Sequence, residues 1–226
     1  MKILITGASS GIGLRLTLDY LQAGHSVLGT YFSNPKPLLY LQKKFPNLEI
    51  SKLDLATADD LQLPKDLDAA ILNAGVIANK LMAHEMLDNF NHLLNVNLKS
   101  NYLLCKKLIP CLHQAKNPHI IFISSRTALK GNVGQISYST SKAALIGLAK
   151  SLAREVAAMN IKVNIILPGF LKTKQTATLL PDIINNFTNE NLLKRTNTLH
   201  EVSKFIYFLT LTRNISGQVY NLDSRI

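Results

Sequence analysis

The residues Lys2-Ile3-Leu4-Ile5-Thr6 run straight into Gly7-Ala8-Ser9-Ser10-Gly11-Ile12-Gly13. An amphipathic stretch carrying Leu14, Leu16, Leu18 and Leu21 follows and is closed by Gly24, after which Ser26 to Thr30 forms a second short apolar run. Strand, glycine turn, helix and strand within about thirty residues make a βαβ unit, so the two strands should be parallel with a right-handed crossover. No other feature narrows the architecture as far. Parallel strands need cover on both faces, which confines the chain to α/β folds.

Each glycine in the turn has its own physical task. The first permits a sharp exit from the strand, the next lets backbone approach a diphosphate, and the last allows the helix to pack closely. The amides at the helix N-terminus would then face phosphate oxygens. A glycine trio also serves turns that bind nothing, but the strand–turn–helix setting favours a nucleotide. The spacing here, Gly-x-x-x-Gly-x-Gly, differs from the commoner Gly-x-Gly-x-x-Gly.

The alternation continues along the chain. Further strands are expected at Leu48–Leu53, Ala69–Leu72, His119–Ser124, Ile161–Leu167 and Gly217–Asn221. Helices are expected over Leu38–Phe45, from Asp59, over Glu85–Ala115 and Ile136–Met159, and near Asp182–Lys194 and Leu199–Leu211. The expected fold is α/β: a single doubly wound Rossmann-type domain over residues 1–226, with a parallel sheet of about seven strands and helices on both faces. Ligands of such sheets sit at the carboxyl ends of the strands. Gly7, Asp54, Asn73, Ser125 and Pro168 all fall there. Asp54 would either accept a hydrogen bond from an adenine amine or cap the next turn.

Composition excludes several function classes. The formal net charge is +11, yet the basic residues are scattered, with Lys43-Lys44 and Lys106-Lys107 as the only lysine doublets. No basic run is interleaved with aromatics, so a nucleic-acid partner is not expected; an acidic protein partner remains compatible. Cys105 and Cys111, six apart in a helical stretch, should be reduced structural thiols, and no cluster has metal-ligand spacing. No apolar run is long enough to span a membrane and Ile3–Ile5 is too short for a signal core, so a cytoplasmic location is expected.

Tyr138-Ser139-Thr140-Ser141-Lys142 places a phenol and an ammonium four residues apart, on one face if helical. Free tyrosine ionises near pH 10, and a neighbouring ammonium favours the phenolate. Such pairs also arise as surface lysines beside half-buried rings. Asn95 and Asn97 lie inside the long expected helix, where asparagine is a poor fit and needs partners.

Taken together, Thr6-Gly-Ala-Ser-Ser-Gly-Ile-Gly13, Asn73-Ala-Gly75, Asn97, Ser125, Tyr138-x-x-x-Lys142 and Pro168-Gly169 with Thr173 resemble the short-chain dehydrogenase/reductase family across nearly the whole chain. Val27–Thr30, Ile146–Val156 and Pro168–Phe170 look most like bacterial 3-oxoacyl-acyl-carrier-protein reductases. The resemblance implies hydride transfer between a nicotinamide cofactor and a carbonyl or alcohol. It makes Tyr138 the proton donor, with Lys142 lowering its pKa and holding the nicotinamide ribose. Ser125 would hydrogen-bond the substrate oxygen, and Asn97 would position Lys142 through a water. The implied cofactor contacts are Gly7, Ser9, Ser10, Gly11, Ile12, Gly13, Tyr31, Asp54, Leu55, Asn73, Ala74, Gly75, Tyr138, Lys142, Pro168, Gly169 and Thr173.

The chain departs from the family pattern in places. Leu72 stands where an asparagine is usual, and Gly217–Asp223 is not followed by the Gly-Gly common in relatives. The end of the second strand has Tyr31 in place of the carboxylate of an NAD enzyme, which favours NADP, although Ser10 supplies no positive charge and NAD stays open. The implied substrate is a small carbonyl or acyl thioester, with an acidic acyl carrier protein as a candidate partner; sugars, steroids or other alcohols are the alternative. A nucleotide sensor on the same fold is the non-enzymatic alternative. Relatives pair through their two long helices, so a homodimer or homotetramer is expected.

Overall fold

The computed structural model describes residues 1–173, 176 and 181–225. Its centre is a seven-stranded sheet formed by β1 (Lys2–Ile5), β2 (Ser26–Tyr31), β3 (Leu48–Lys52), β4 (Ala69–Leu72), β5 (His119–Ile123), β6 (Lys162–Pro168) and β7 (Val219–Leu222). The strand order is β3-β2-β1-β4-β5-β6-β7, and every neighbouring pair is parallel. The chain order reverses between β1 and β4, and the crevice at such a reversal is where doubly wound sheets bind ligands.

Alternation along the strands divides the core in two. Leu4, Leu28, Ala70, Phe122 and Ile165 point to one face. There they meet Leu104 and Leu108 of α4 (Ser100–Leu112) and Leu145 and Leu152 of α6 (Ile136–Glu155). Ile3, Ile5, Val27, Ile71, Ile121 and Ile166 point to the other. That face is covered by Leu16 and Tyr20 of α1 (Gly11–Gln22), Leu38 of α2 (Lys36–Gln42) and Ile206 of α8 (Leu199–Leu211). The central strands β4, β5 and β6 are buried at every position. This is why Ala69–Leu72, Ile120–Ile123 and Ile165–Leu167 read as continuous apolar runs rather than as alternating ones.

Three expectations about elements need correction. The helix expected over Glu85–Ala115 is α3 (Leu87–Leu94), a π-helical turn (Asn95–Lys99) and α4. Asp59 does not start a helix; it lies near the end of a 3₁₀ turn, Leu55–Asp60, that Asp54 caps. The helix α7 spans Pro181–Glu190 and stops short of Lys194. A short helix, α5 (Thr127–Lys130), was not anticipated. By contrast α8 has the expected bounds, opened by a Thr198–Glu201 capping box, a device that satisfies two orphan amides at once.

Candidate active site

Every motif residue named above lies at the carboxyl end of the sheet or on the helix behind it. Gly7, Ser9 and Ser10 form the turn after β1, and Gly11, Ile12 and Gly13 open α1. Gly7 and Gly11 both adopt positive φ, +64° and +51°, which side chains disfavour. At Gly13 the constraint is space, since a Cβ there would overlap the Gly7 carbonyl. The N-cap residue Ser10 makes no side-chain cap bond, so the first amides of α1 are left for an anionic group. That turn fits a diphosphate.

Asn73 holds this turn from the next strand, donating from Nδ2 to the carbonyls of Thr6 at 3.0 Å and Gly7 at 3.4 Å. Thr6 Oγ1 accepts in return from the backbone amides of Asn73 and Ala74. The asparagine therefore shapes the glycine turn through bonds within the protein. Tyr31 ends β2, while Asp54 and Leu55 follow β3. These three stand at the far half of the sheet from Tyr138, as an extended dinucleotide requires. Asp54 Oδ1 accepts from the Ala56 amide at 2.9 Å, which caps the following turn and leaves the second carboxylate oxygen to face an adenine amine. Thr173 meets the site from the other side: a Cβ on Gly11 would come within 3.7 Å of its Cγ2.

The catalytic candidates converge around Gly75. A Cβ there would lie 2.9 Å from Asn97 Oδ1 and 3.3 Å from Lys142 Nζ, so only glycine lets the two side chains approach this closely. Asn97 is fully buried. Its Oδ1 accepts from the Val76 amide at 2.8 Å, and its Nδ2 donates to the Val76 carbonyl at 2.9 Å and Ser141 Oγ at 3.0 Å. These bonds sit in the π turn, a local widening that recurs at functional sites. Asn97 reaches the α6 motif through Ser141, whose hydroxyl donates to the Tyr138 carbonyl at 2.8 Å.

Lys142 is buried in the second turn of α6 and donates from Nζ to the Ile123 carbonyl at 2.9 Å. Burial pulls its ammonium down to about 8. Ser124 secures the same residue by donating to the Lys142 carbonyl at 2.8 Å. The lysine was expected to lower the Tyr138 phenol; instead burial raises the phenol, and a hydrogen bond with Ser125 offsets part of that rise. Geometry explains the difference. The ammonium lies 5.9 Å from the ring centroid and is directed at a carbonyl. Ser125 Oγ also accepts from the amide and hydroxyl of Thr127 at 3.3 and 3.0 Å.

A phenol, a serine hydroxyl and a buried ammonium thus meet at the end of β5, beside a turn shaped for a dinucleotide. A family model described as short chain dehydrogenase matches residues 1–183. The chain belongs to the short-chain dehydrogenase family. It is an oxidoreductase, and family membership implies a nicotinamide cofactor.

Within that family it is similar to proteins named 3-oxoacyl-acyl-carrier-protein reductase. That of Buchnera aphidicola is 34% identical, over 97% of this chain and 94% of the relative. That of Aquifex aeolicus is 31% identical over the same shares. That of Rickettsia prowazekii is 36% identical over 76% of this chain and 73% of its own.

Sequence reading missed Ser124 and Ser141 as partners of this short-chain dehydrogenase site. A serine's partner depends on which backbone the fold brings beside it. Their only sequence signal was position, one residue before Ser125 and one before Lys142.

Proposed function

We propose that this protein reduces a 3-oxoacyl thioester to the 3-hydroxyacyl product with NADPH. The observation that carries the reading is the packing of Asn97 and Lys142 against Gly75, with Tyr138 one turn before Lys142 on α6 and hydrogen-bonded to Ser125. The likeness to 3-oxoacyl reductases over nearly the whole chain supports the substrate class.

A bound nicotinamide would supply the hydride. Ser125 donates its hydroxyl hydrogen to the substrate carbonyl oxygen and stabilises the charge that builds there. Tyr138 gives its proton to that oxygen as the alcohol forms. A phenol raised by burial stays protonated at neutral pH, which suits the reductive direction. Lys142 holds its charge below about pH 8 and anchors the nicotinamide ribose beside Tyr138. Asn97 keeps α6 in register with the Val76 backbone through Ser141.

Cofactor choice is read from the end of β2. Tyr31 leaves no carboxylate there to repel a 2′-phosphate. Its register partner across β2–β3 is Lys52, a positive charge that Ser10 does not provide. Lys52→Glu should therefore weaken NADPH binding at least tenfold and leave NADH binding within twofold, read by nucleotide fluorescence titration. An acidic carrier protein suits the net charge of +11. The test of the function is loss of reduced-nucleotide absorbance with an acetoacetyl thioester, set beside a panel of sugars, steroids and small alcohols. NADPH with the thioester should give the highest kcat/KM. Preference for NADH, or for a panel alcohol, would overturn the reading.

A further inference from the structure

Where relatives carry Asp-Gly-Gly after the last strand, this chain has Asp223-Ser224-Arg225. β7 pairs with β6 as far as Pro168↔Leu222, so these residues leave the sheet beside the Pro168-Gly169 turn. The Asp223 side chain is 1% exposed and that of Arg225 is 6% exposed. The carboxylate accepts from the Arg225 amide at 2.9 Å, from Nε at 3.0 and 2.9 Å on its two oxygens, and from Nη2. It lies so close to Gly169 that a Cβ there would overlap it.

The pair reaches outward to α7. Arg225 Nη1 is 3.5 Å from Glu190 Oε2, and the guanidinium lies 5.1 Å from the centroid of Phe187. Phe187 stacks on Phe170 at 4.8 Å and 16°. Ser224 donates from Oγ to Asn191 Oδ1 at 2.8 Å, and its backbone carbonyl accepts from the Leu192 amide at 3.2 Å. Asn197 closes the group by donating to the Leu222 carbonyl. α7 and its following turn are thus tied to the end of the sheet by residues where relatives have glycine.

We propose that Asp223 and Arg225 form a clasp that fixes α7 against the Gly169–Phe170 turn, making Arg225 a positioning residue for the acyl substrate. Phe187 seats α7 on Phe170, beside the Pro168-Gly169 turn at the carboxyl end of β6, the end of the sheet that receives the acyl substrate on the reductase reading above. Asp223 is suited to the task. Burial alone would raise its carboxyl, but hydrogen bonds from Arg225 and the charges of Arg225 and Arg126 outweigh it and hold the group ionised. A planar guanidinium grips a carboxylate, an aromatic face and a second acid at once, which an ammonium does not.

The test compares the intact chain with Arg225→Ala, Arg225→Lys and Glu190→Gln by hydrogen exchange and steady-state kinetics. Arg225→Ala should speed amide exchange over residues 181–192 at least tenfold while β5, β6 and α6 exchange as before. It should also raise KM for an acetoacetyl thioester about tenfold, with kcat and NADPH affinity within twofold. Arg225→Lys should recover part of both effects, and Glu190→Gln should give a smaller change in the same direction. Unchanged exchange over 181–192 in Arg225→Ala, or equal acceleration throughout the chain, would overturn the clasp. Exchange needs no substrate, so a protein inactive on the thioester would sink the reductase reading and still decide this one.

Discussion

Lys142 sits with its ammonium on a carbonyl oxygen and, among the described residues, no carboxylate paired with it, and burial lowers its value to about 8. Between that value and the usual lysine value near 10.4, the unfolded chain keeps a proton that the folded chain has released. Stability therefore rises with pH across that window, by up to about 3 kcal/mol, and is flat just below it. Urea unfolding at pH 7.5 and 9.5 checks this: the wild type should gain, and Lys142→Met should show no gain. His119 acts at the other end of the scale. Burial first, and the Lys162 charge second, lower it to about 4. As pH falls from about 6.5 towards 4, only the unfolded chain takes up the proton, so stability is lost there. His119→Gln should flatten that part of the curve in thermal unfolding.

At the scale of elements, the π turn between α3 and α4 is the piece on which the site depends. Asn97→Ala would remove the partner of the half-buried Val76 amide and carbonyl, costing up to about 1–3 kcal/mol for each group that water does not reach. It should lower kcat at least tenfold while circular dichroism stays that of the folded protein. Gly75→Ala should give a comparable loss, because the new methyl displaces Asn97 and Lys142 together. The first βα unit was legible because a turn that only glycine can make leaves a mark in sequence, here at Gly7 and Gly11. The π turn was not. One extra residue in the helical spiral leaves the apolar stripe from Leu93 to Leu108 unbroken, so the segment read as one helix. Asn97 itself was the visible signal, as a polar residue in an apolar run. Asp54 read equally well as cap or ligand, and the structure adds the cap through its 2.9 Å bond to the Ala56 amide. The clasp at Asp223 and Arg225 was visible only as a departure from relatives. Its partners lie on α7, more than thirty residues away, where no local pattern points to them.

At the scale of the molecule, one sheet collects strands from Lys2 to Leu222, and its two cores share every central strand. We propose that the chain behaves as one domain, with a single unfolding transition coincident by circular dichroism and tyrosine fluorescence. Two separated transitions would divide it. Leu81, Met82, Met86, Leu87 and Val133 are exposed, more apolar surface than one stretch of a monomer usually leaves to water. We propose that the chain associates through this surface, and light scattering should report a dimer or tetramer. The central claim is that Tyr138 delivers the proton to a 3-oxoacyl carbonyl, and single-turnover reduction of an acetoacetyl thioester by NADPH tests it most directly. Wild-type protein should consume NADPH, and Tyr138→Phe should slow that step by about 10²–10⁴-fold with NADPH affinity unchanged within twofold. Equal rates in the two proteins would contradict the account.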